Sequence, residues 1–470
     1  MEWLKILPPL VAIFIVLWKK EVILALVLAI FTSEFLLGGS LFQQAVLASE
    51  SSSNLFGQAF SGALGTLDRI TNVFTDAGNT RILIFSVMVG SLLAFMRQSG
   101  GVTGLVNNLI NKGFAKTPRQ VSLMTTFTGI VVFIESNLSV LTAGILSRGL
   151  FDKFGMSRAK LAYIIDSTSA PICILILLNA WGAYVLALLN TYQFEVSAVE
   201  ILWGTIPFNF YALVTLAIVF YSVISGKYYG PLACSENPSE LETVDDNDSN
   251  TGKARFMLVP LIVMIGGMVG FMLWTGNGNM ADGSGSKSVF YATSLACVVA
   301  YFMMLTSGDF KHSQLVKIAF DGMAELLPLV SIVLLSLALG ASLKLLGTGI
   351  YISQLVGDFL PLFLIAPMIF LVGAMISFST GTSWGTFAIL IPIGVPIIQQ
   401  MGLPPSLILA AILGGGVFGD HCSPISDTTA VSAIASGCDL LEHVKTQLPY
   451  ALTAGVITIL LYLVFGLIML

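Results

Sequence analysis

Apolar runs long enough to enter a bilayer fill the sequence, near 4–18, 22–37, 81–97, 120–134, 137–150, 160–190 and 205–225. They resume near 256–274, 288–306, 326–346, 358–378, 384–400, 405–437 and 450–470. In lipid no water satisfies exposed N–H and C=O groups, so such runs must close their hydrogen bonds internally, as helices or as a sealed barrel. The alternating ten-residue segments of a barrel are missing, and helices remain. Composition agrees: 56% of residues are hydrophobic and 10% charged, where a soluble domain carries about 25% charged residues. The five cysteines are scattered, without disulfide or zinc spacing. The first apolar run lacks a small-residue cleavage site and is followed by another after Lys19 and Lys20, so it reads as a retained span. The net charge of −5 arises mostly in one loop and implies no nucleic-acid partner.

That loop, SENPSELETVDDNDSNTGK at 235–253, has no apolar period and reads as a disordered linker. It divides the chain into a first repeat (1–230), an acidic cytoplasmic linker (231–255) and a second repeat (256–470). Each half runs in the same order: two spans, an amphipathic piece (54–72, 310–325), a third span, a paired short segment, a long interrupted span, a last span. Lys and Arg collect on the cytoplasmic side of membrane proteins. With the N-terminus outside and 120–150 a hairpin returning to its own side, 16 of the 21 Lys and Arg face the cytoplasm. Lys5, Arg69, Arg81, Lys287 and Lys344 remain outside. Five crossings per half then orient the halves oppositely. The fold expected is an all-α polytopic membrane protein, an inverted-topology repeat with two re-entrant hairpins (120–150, 358–400) and two broken transmembrane helices (160–190, 405–437). Both termini lie outside. Secondary transporters built this way bind substrate near the midplane, at the repeat interface.

The polar residues inside apolar runs then become informative. GGGVFGDHCSPISDTT (414–429) crowds Asp420, His421, Ser423, Ser426, Asp427, Thr428 and Thr429 together. Its three glycines and Pro424 are poor residues for an unbroken helix. A helix broken at this depth is tolerated where it lines a cavity or meets protein, which points to an ion or substrate site; a polar loop outside the membrane is the plainer alternative. The first half carries an echo: Asp166, Ser167, Thr168 and Ser169 precede Pro171. Four carboxylates (Glu135, Asp166, Asp420, Asp427) near the midplane would together oppose insertion by about 10 kcal/mol, and therefore need cations, protons or one another. Glu34, at the end of a span, reads as interfacial.

Glu135, Ser136 and Asn137 fall at the turn of the first hairpin. They offer oxygens suited to a hard cation such as Na⁺, and equally to capping the half-helices. At the second turn, Thr380, Thr382 and Ser383 are charge-free and suit an anionic group or offer hydroxyls to a cation. Hydroxyls beside Asp166 can instead bond back to their own helix, and His421 can titrate or serve as a strut. Asn179 and Trp181 follow the first broken span.

The runs SRAKLAYIIDSTSAP (157–171), NAWGAY (179–184), TGTSWGTF (380–387) and GGGVFGDHCSPISDTT (414–429) resemble the NhaC family of Na⁺/H⁺ antiporters, within the wider ion-transporter superfamily. The resemblance implies an inverted-repeat fold with two hairpins and Na⁺ or H⁺ coupling at these motifs. Many members resemble Phe-Asp-Asp-Tyr at the first hairpin, where this chain has Glu135-Ser136-Asn137 and so one carboxylate fewer.

The function expected is secondary active Na⁺/H⁺ antiport across a bacterial-type inner membrane. Glu135, Asn137, Asp166 and Asp427 would hold Na⁺, while Ser136, Ser167, Ser169, Asp420 and the hydroxyls named above complete the site. The alternative is a Na⁺- or H⁺-coupled carrier of a small organic acid or amino acid. No cofactor beyond the transported ions is called for, an enzyme is not expected, and the partners are lipid and small ions; the sequence leaves a homodimer open.

Overall fold

The computed structural model describes residues 2–38, 55–101, 116–133, 135–235, 253–279 and 283–469. The acidic stretch 236–252, Asn54 and Lys112 lie outside these residues. The first half contains α1 (Leu7–Lys19), α2 (Val22–Leu36), α3 (Leu55–Asn72), α4 (Ala77–Gln98), α5 (Pro118–Val131), α6 (Ser136–Lys153), α7 (Arg158–Ser167), α8 (Ala170–Leu175), α9 (Ala180–Leu189), α10 (Ala198–Gly204) and α11 (Phe210–Ser225). The second half contains α12 (Arg255–Thr275), α13 (Gly285–Thr306), α14 (His312–Leu346), α15 (Thr348–Phe359), α16 (Ile365–Thr380), α17 (Ser383–Met401), α18 (Pro405–Cys422), α19 (Asp427–Ser436) and α20 (Leu440–Met469). Among the described residues nine helices are long and apolar enough to cross a membrane, or up to ten if the pair Arg158–Leu175 and Ala180–Leu189, bent by 40°, counts as one span.

Both expected hairpins are present as paired helices, α5–α6 and α16–α17, and both interrupted spans are broken, at residues 168–169 and 176–179 and at 423–426. Each half's hairpin touches the other half's broken helix: α6 lies on α19, and α17 on α9. Gly144 permits the first approach, since a Cβ there would sit 2.6 Å from Ala435 Cβ. Small residues govern close helix approach in membranes, where lipid offers no hydrophobic drive between helices.

Helices α4, α12, α13 and α14 pack together around Leu92, Phe95, Met96, Met257, Met264, Ala296 and Met304. There Gly90 of α4 meets the backbone of Gly322 of α14, and Ser91 Oγ donates to the Ala319 carbonyl at 2.9 Å.

Four sequence expectations change. Gly414–Gly416 do not break a helix; α18 runs through them to Cys422. Their missing side chains admit neighbours instead: a Cβ on Gly415 would lie 2.6 Å from the Phe370 carbonyl of α16. The break comes later, at Ser423–Ser426, where Pro424 lacks an amide donor. Segments 310–325 and 326–346 form one 35-residue helix despite Pro328, because a helix long enough to lean on several neighbours tolerates one missing bond. The first-half counterpart does split, where Asp76 accepts the Asn79 amide at 2.7 Å and starts α4. The second hairpin begins at Ile365 rather than 358, since 348–359 form α15. Finally, α1 and α2 have 13 and 15 residues, about 20 and 22 Å of rise, short of the roughly 30 Å hydrocarbon core.

Candidate ion-binding site

At the first hairpin's turn, α5 ends at Val131 and Glu135 becomes the N-cap of α6. Its carboxylate accepts the amides of Asn137 (2.9 Å) and Leu138 (2.7 Å) and the Ser136 hydroxyl (3.3 Å). Negative charge is favoured at a helix N-terminus, where four amides lack intrahelical partners. Capping, left open by the sequence, is therefore one role of Glu135. Asn137, in the first turn of the same helix, donates from Nδ2 to Asp427 Oδ2 at 3.0 Å. Its Oδ1 is buried without a partner.

Asp427 is the first residue of α19, so two helix N-termini meet here with a carboxylate on each. Asp427 is exposed and Glu135 half-buried. Two carboxyl groups, one amide carbonyl oxygen without a donor and the positive ends of two helices come together there.

Asp420 is buried and lies in the last turn of α18, the unfavourable end of the helix dipole for an anion. Three hydroxyls offset that placement. Ser383 donates to Oδ2 at 2.7 Å; Ser426 and Thr428 donate to Oδ1 at 2.8 and 3.2 Å. Ser383 begins α17, while Ser426 caps α19. Asp420 thus ties the second hairpin's tip to the second break. Gly381 makes the fit possible: with φ +69° it sits where a Cβ would be 2.5 Å from the Ile425 carbonyl, and that backbone region suits glycine. Ser423 Oγ adds a bond to the Phe378 carbonyl at 2.7 Å.

Asp166, fully buried on α7, accepts from His443 Nε2 at 3.1 Å and Gln447 Nε2 at 2.8 Å, both on α20. Its Oδ1, the His443 Nδ1 and the Gln447 Oε1 are buried without partners. Gln447 also donates to the His421 carbonyl. His421 is held at both ring nitrogens, by Ser167 Oγ and by the Tyr211 hydroxyl, each at 2.8 Å. The ring is thus bonded on both sides.

The structure therefore joins Glu135, Ser136, Asn137 and Asp427 in one group, and Asp420, Ser383, Ser426 and Thr428 in a second that shares the Ser426–Asp427 step. Asp166, Ser167 and His421 form a third group, linked to the second through the backbone of α18. Three expected residues sit aside. Thr380 Oγ1 bonds back to Ile376 at 2.9 Å, Ser169 Oγ bonds to the Asp166 carbonyl at 3.3 Å, and Thr382 offers its carbonyl to Thr380 and Thr386. Ser423 holds the hairpin, as described. Asn179 secures the turn, donating to the carbonyls of Phe133 (3.0 Å) and Cys173 (2.7 Å), and Trp181 packs edge-on against Trp384 and Phe387.

His443, Gln447 and Tyr211 were missed from sequence. The signal for the first two was present, since polar residues at i and i+4 share one helix face. Glu34, at the end of a span, is fully buried within the protein, where Arg69 Nε and Ser342 Oγ reach its Oε1 at 2.8 and 2.6 Å.

A family model described as "Na+/H+ antiporter family" matches residues 172–467. An uncharacterized protein of Haemophilus influenzae is 30% identical over 434 residues, covering 84% of this chain and 81% of that one. The malate-2H(+)/Na(+)-lactate antiporter of Bacillus subtilis is 40% identical over 107 residues, covering 22% of this chain and 23% of its own length. Among solved structures, Neisseria gonorrhoeae MtrF, described with a class of antimetabolite efflux pumps, shares the fold with a TM-score of 0.59 at 15% identity, covering 92% of this chain and 94% of that one. Interrupted helices meeting over buried carboxylates, a chain of apolar spans and the family match agree: the chain belongs to the Na⁺/H⁺ antiporter family and is a multi-pass membrane transporter.

Proposed function

We propose that the protein exchanges Na⁺ for H⁺ across a bacterial inner membrane, with two oppositely oriented halves and both termini outside. The observation that carries this is the Asn137–Asp427 contact, which brings a hairpin tip of one half onto the broken helix of the other. Glu135, Asn137 and Asp427 would hold Na⁺. The Asn137 Oδ1 without a donor fits a hard cation, and the exposed Asp427 gives it a route to water. Asp166 supplies a further carboxylate in the adjoining group, and Asp420 fixes the second hairpin's tip against the second break.

Exchange follows from competition. The site carries two carboxyl groups; Na⁺ or a proton can neutralise their charge, and a loaded site crosses the low-dielectric barrier more easily than an empty one. A tenfold gradient supplies about 1.4 kcal/mol, and each net charge moved adds about 2.3 kcal/mol per 100 mV, so the gradients alone drive the cycle. The test is a proteoliposome with a trapped pH-sensitive dye. An imposed Na⁺ gradient should move protons for the wild type and not for Asp427→Asn or Glu135→Gln. Full exchange in both variants would overturn the assignment.

A second reading, coupled transport of a small organic acid, draws support from the relative whose name includes malate and lactate. Accumulation of labelled solute under a Na⁺ gradient would separate it from ion exchange alone.

A further inference from the structure

A cavity of about 620 Å³ lies away from the carboxylate groups, between α3–α4, the stretch after α9, the start of α13 and the end of α14. It falls in the size range of small-molecule sites, and its walls are unusual in charge. Arg69 and Lys344 line it, and Arg81 Nη1 donates to the lining Ser286 Oγ at 3.3 Å. These are three of the five Lys and Arg that the charge pattern leaves outside. Cations on that side run against the general bias of membrane proteins, so their gathering at one cavity asks for a reason.

Arg69 is 7% exposed. Glu34 takes its Nε, and Nη2 has no partner. Among the described residues Lys344 forms no ion pair. Asp76, the lining carboxylate, already accepts the Asn79 amide. The remaining polar walls are amides and hydroxyls, including Asn72, Asn190 and a buried Tyr192 hydroxyl without a partner. Among the described residues Tyr192 is the one aromatic ring lining the cavity, which gives no pair of faces to sandwich a flat ligand.

We propose that this cavity binds a small aliphatic carboxylate bearing a hydroxyl or amino group, with Arg69 and Lys344 receiving the carboxylate. Guanidinium nitrogens match carboxylate geometry, and the amides and hydroxyls suit the polar substituent. The proposal rests on the second reading above and adds its place. It also joins the cavity to the ion site. Asn190 and Tyr192 follow α9, whose middle carries Tyr184, stacked on Trp384 at 4.9 Å and donating to its carbonyl at 3.2 Å. Trp384 neighbours Ser383, the donor to Asp420. A ligand in the cavity therefore sits one short helix from the second hairpin's tip.

The test is calorimetric titration of the full-length protein in nanodiscs with L-malate and L-lactate, with sodium chloride and methylammonium chloride as controls. Saturable binding of at least one acid is expected, weakened tenfold or more by Lys344→Gln. Because Arg69→Gln leaves Glu34 unpaired and can unfold the protein, the double variant Glu34→Gln/Arg69→Gln is used for that arm; it should also bind tenfold or more weakly. Solute-free Na⁺/H⁺ exchange by Lys344→Gln should equal wild type, and that assay reports on the carboxylate site independently. No binding by the wild type, equal binding of the control salts, or full affinity in both variants would overturn the proposal.

Discussion

Gly415→Ala tests the reading of the glycine-rich run as a packing surface. The added Cβ would lie 2.6 Å from the Phe370 carbonyl and 3.1 Å from Gly373 Cα, whereas ordinary contact begins near 3.4 Å. The difference, 3.4 − 2.6, requires α16 to retreat by about 0.8 Å from α18. Overpacking of this kind costs about 1–3 kcal/mol. The retreat also stretches two bonds that cross the interface, Ser377 Oγ to the Gly416 carbonyl (2.5 Å) and Ser423 Oγ to the Phe378 carbonyl (2.7 Å), each contributing about 1 kcal/mol. The displaced tip carries Ser383 away from Asp420. The expected result is a lower unfolding temperature for purified protein and an exchange rate in dye-loaded proteoliposomes reduced at least tenfold. Gly266→Ala is the control. Nothing lies within 4 Å of a Cβ there, and alanine is the better helix former by about 1 kcal/mol, so stability should hold or rise. Wild-type melting and exchange by Gly415→Ala would refute the packing account.

Asn137→Ala should abolish Na⁺-driven proton movement while leaving the fold intact, because the Glu135 cap does not depend on the Asn137 side chain; the dye assay and a melting curve check both halves of that statement. His443→Ala leaves buried Asp166 with Gln447 alone and should destabilise the protein by about 1–3 kcal/mol, whereas Asp166→Asn/His443→Ala should recover much of the loss in denaturant titration. Gly90→Leu should separate α4 from α14 and lower the yield of folded protein in detergent, with Gly266→Leu as the tolerated comparison in size-exclusion chromatography.

Much of the architecture was legible because each feature had a local cause. Polar residues at 135–137 and 380–383 stand out within apolar runs, and they mark the two turns. Pro171 and Pro424 lack an amide donor, and they accompany the two breaks. The glycines at 414–416 were misread since an absent side chain permits both a kink and a close neighbour, and only the neighbours, α16 at Gly415 and Phe387 of α17 at Gly416, decide between them. Asp420 was legible as a buried acid, but its three hydroxyl donors come from α17 and α19 and depend on how those helices dock. His443 and Gln447 look like isolated polar residues before a long apolar run, and Asp166, 277 positions away from His443, explains them. The joining of 312–346 into one helix was hidden because 310–325 reads as amphipathic and 326–346 as apolar, a change of composition that a helix can carry without a break.

The most direct test is binding of ²²Na⁺ to the purified protein, measured by scintillation proximity as pH is varied, for wild type, Asn137→Ala and Asp427→Asn. The account predicts saturable binding by the wild type that protons displace at low pH, and its loss in both variants. Undiminished, proton-insensitive binding in the two variants would show that Na⁺ is held elsewhere.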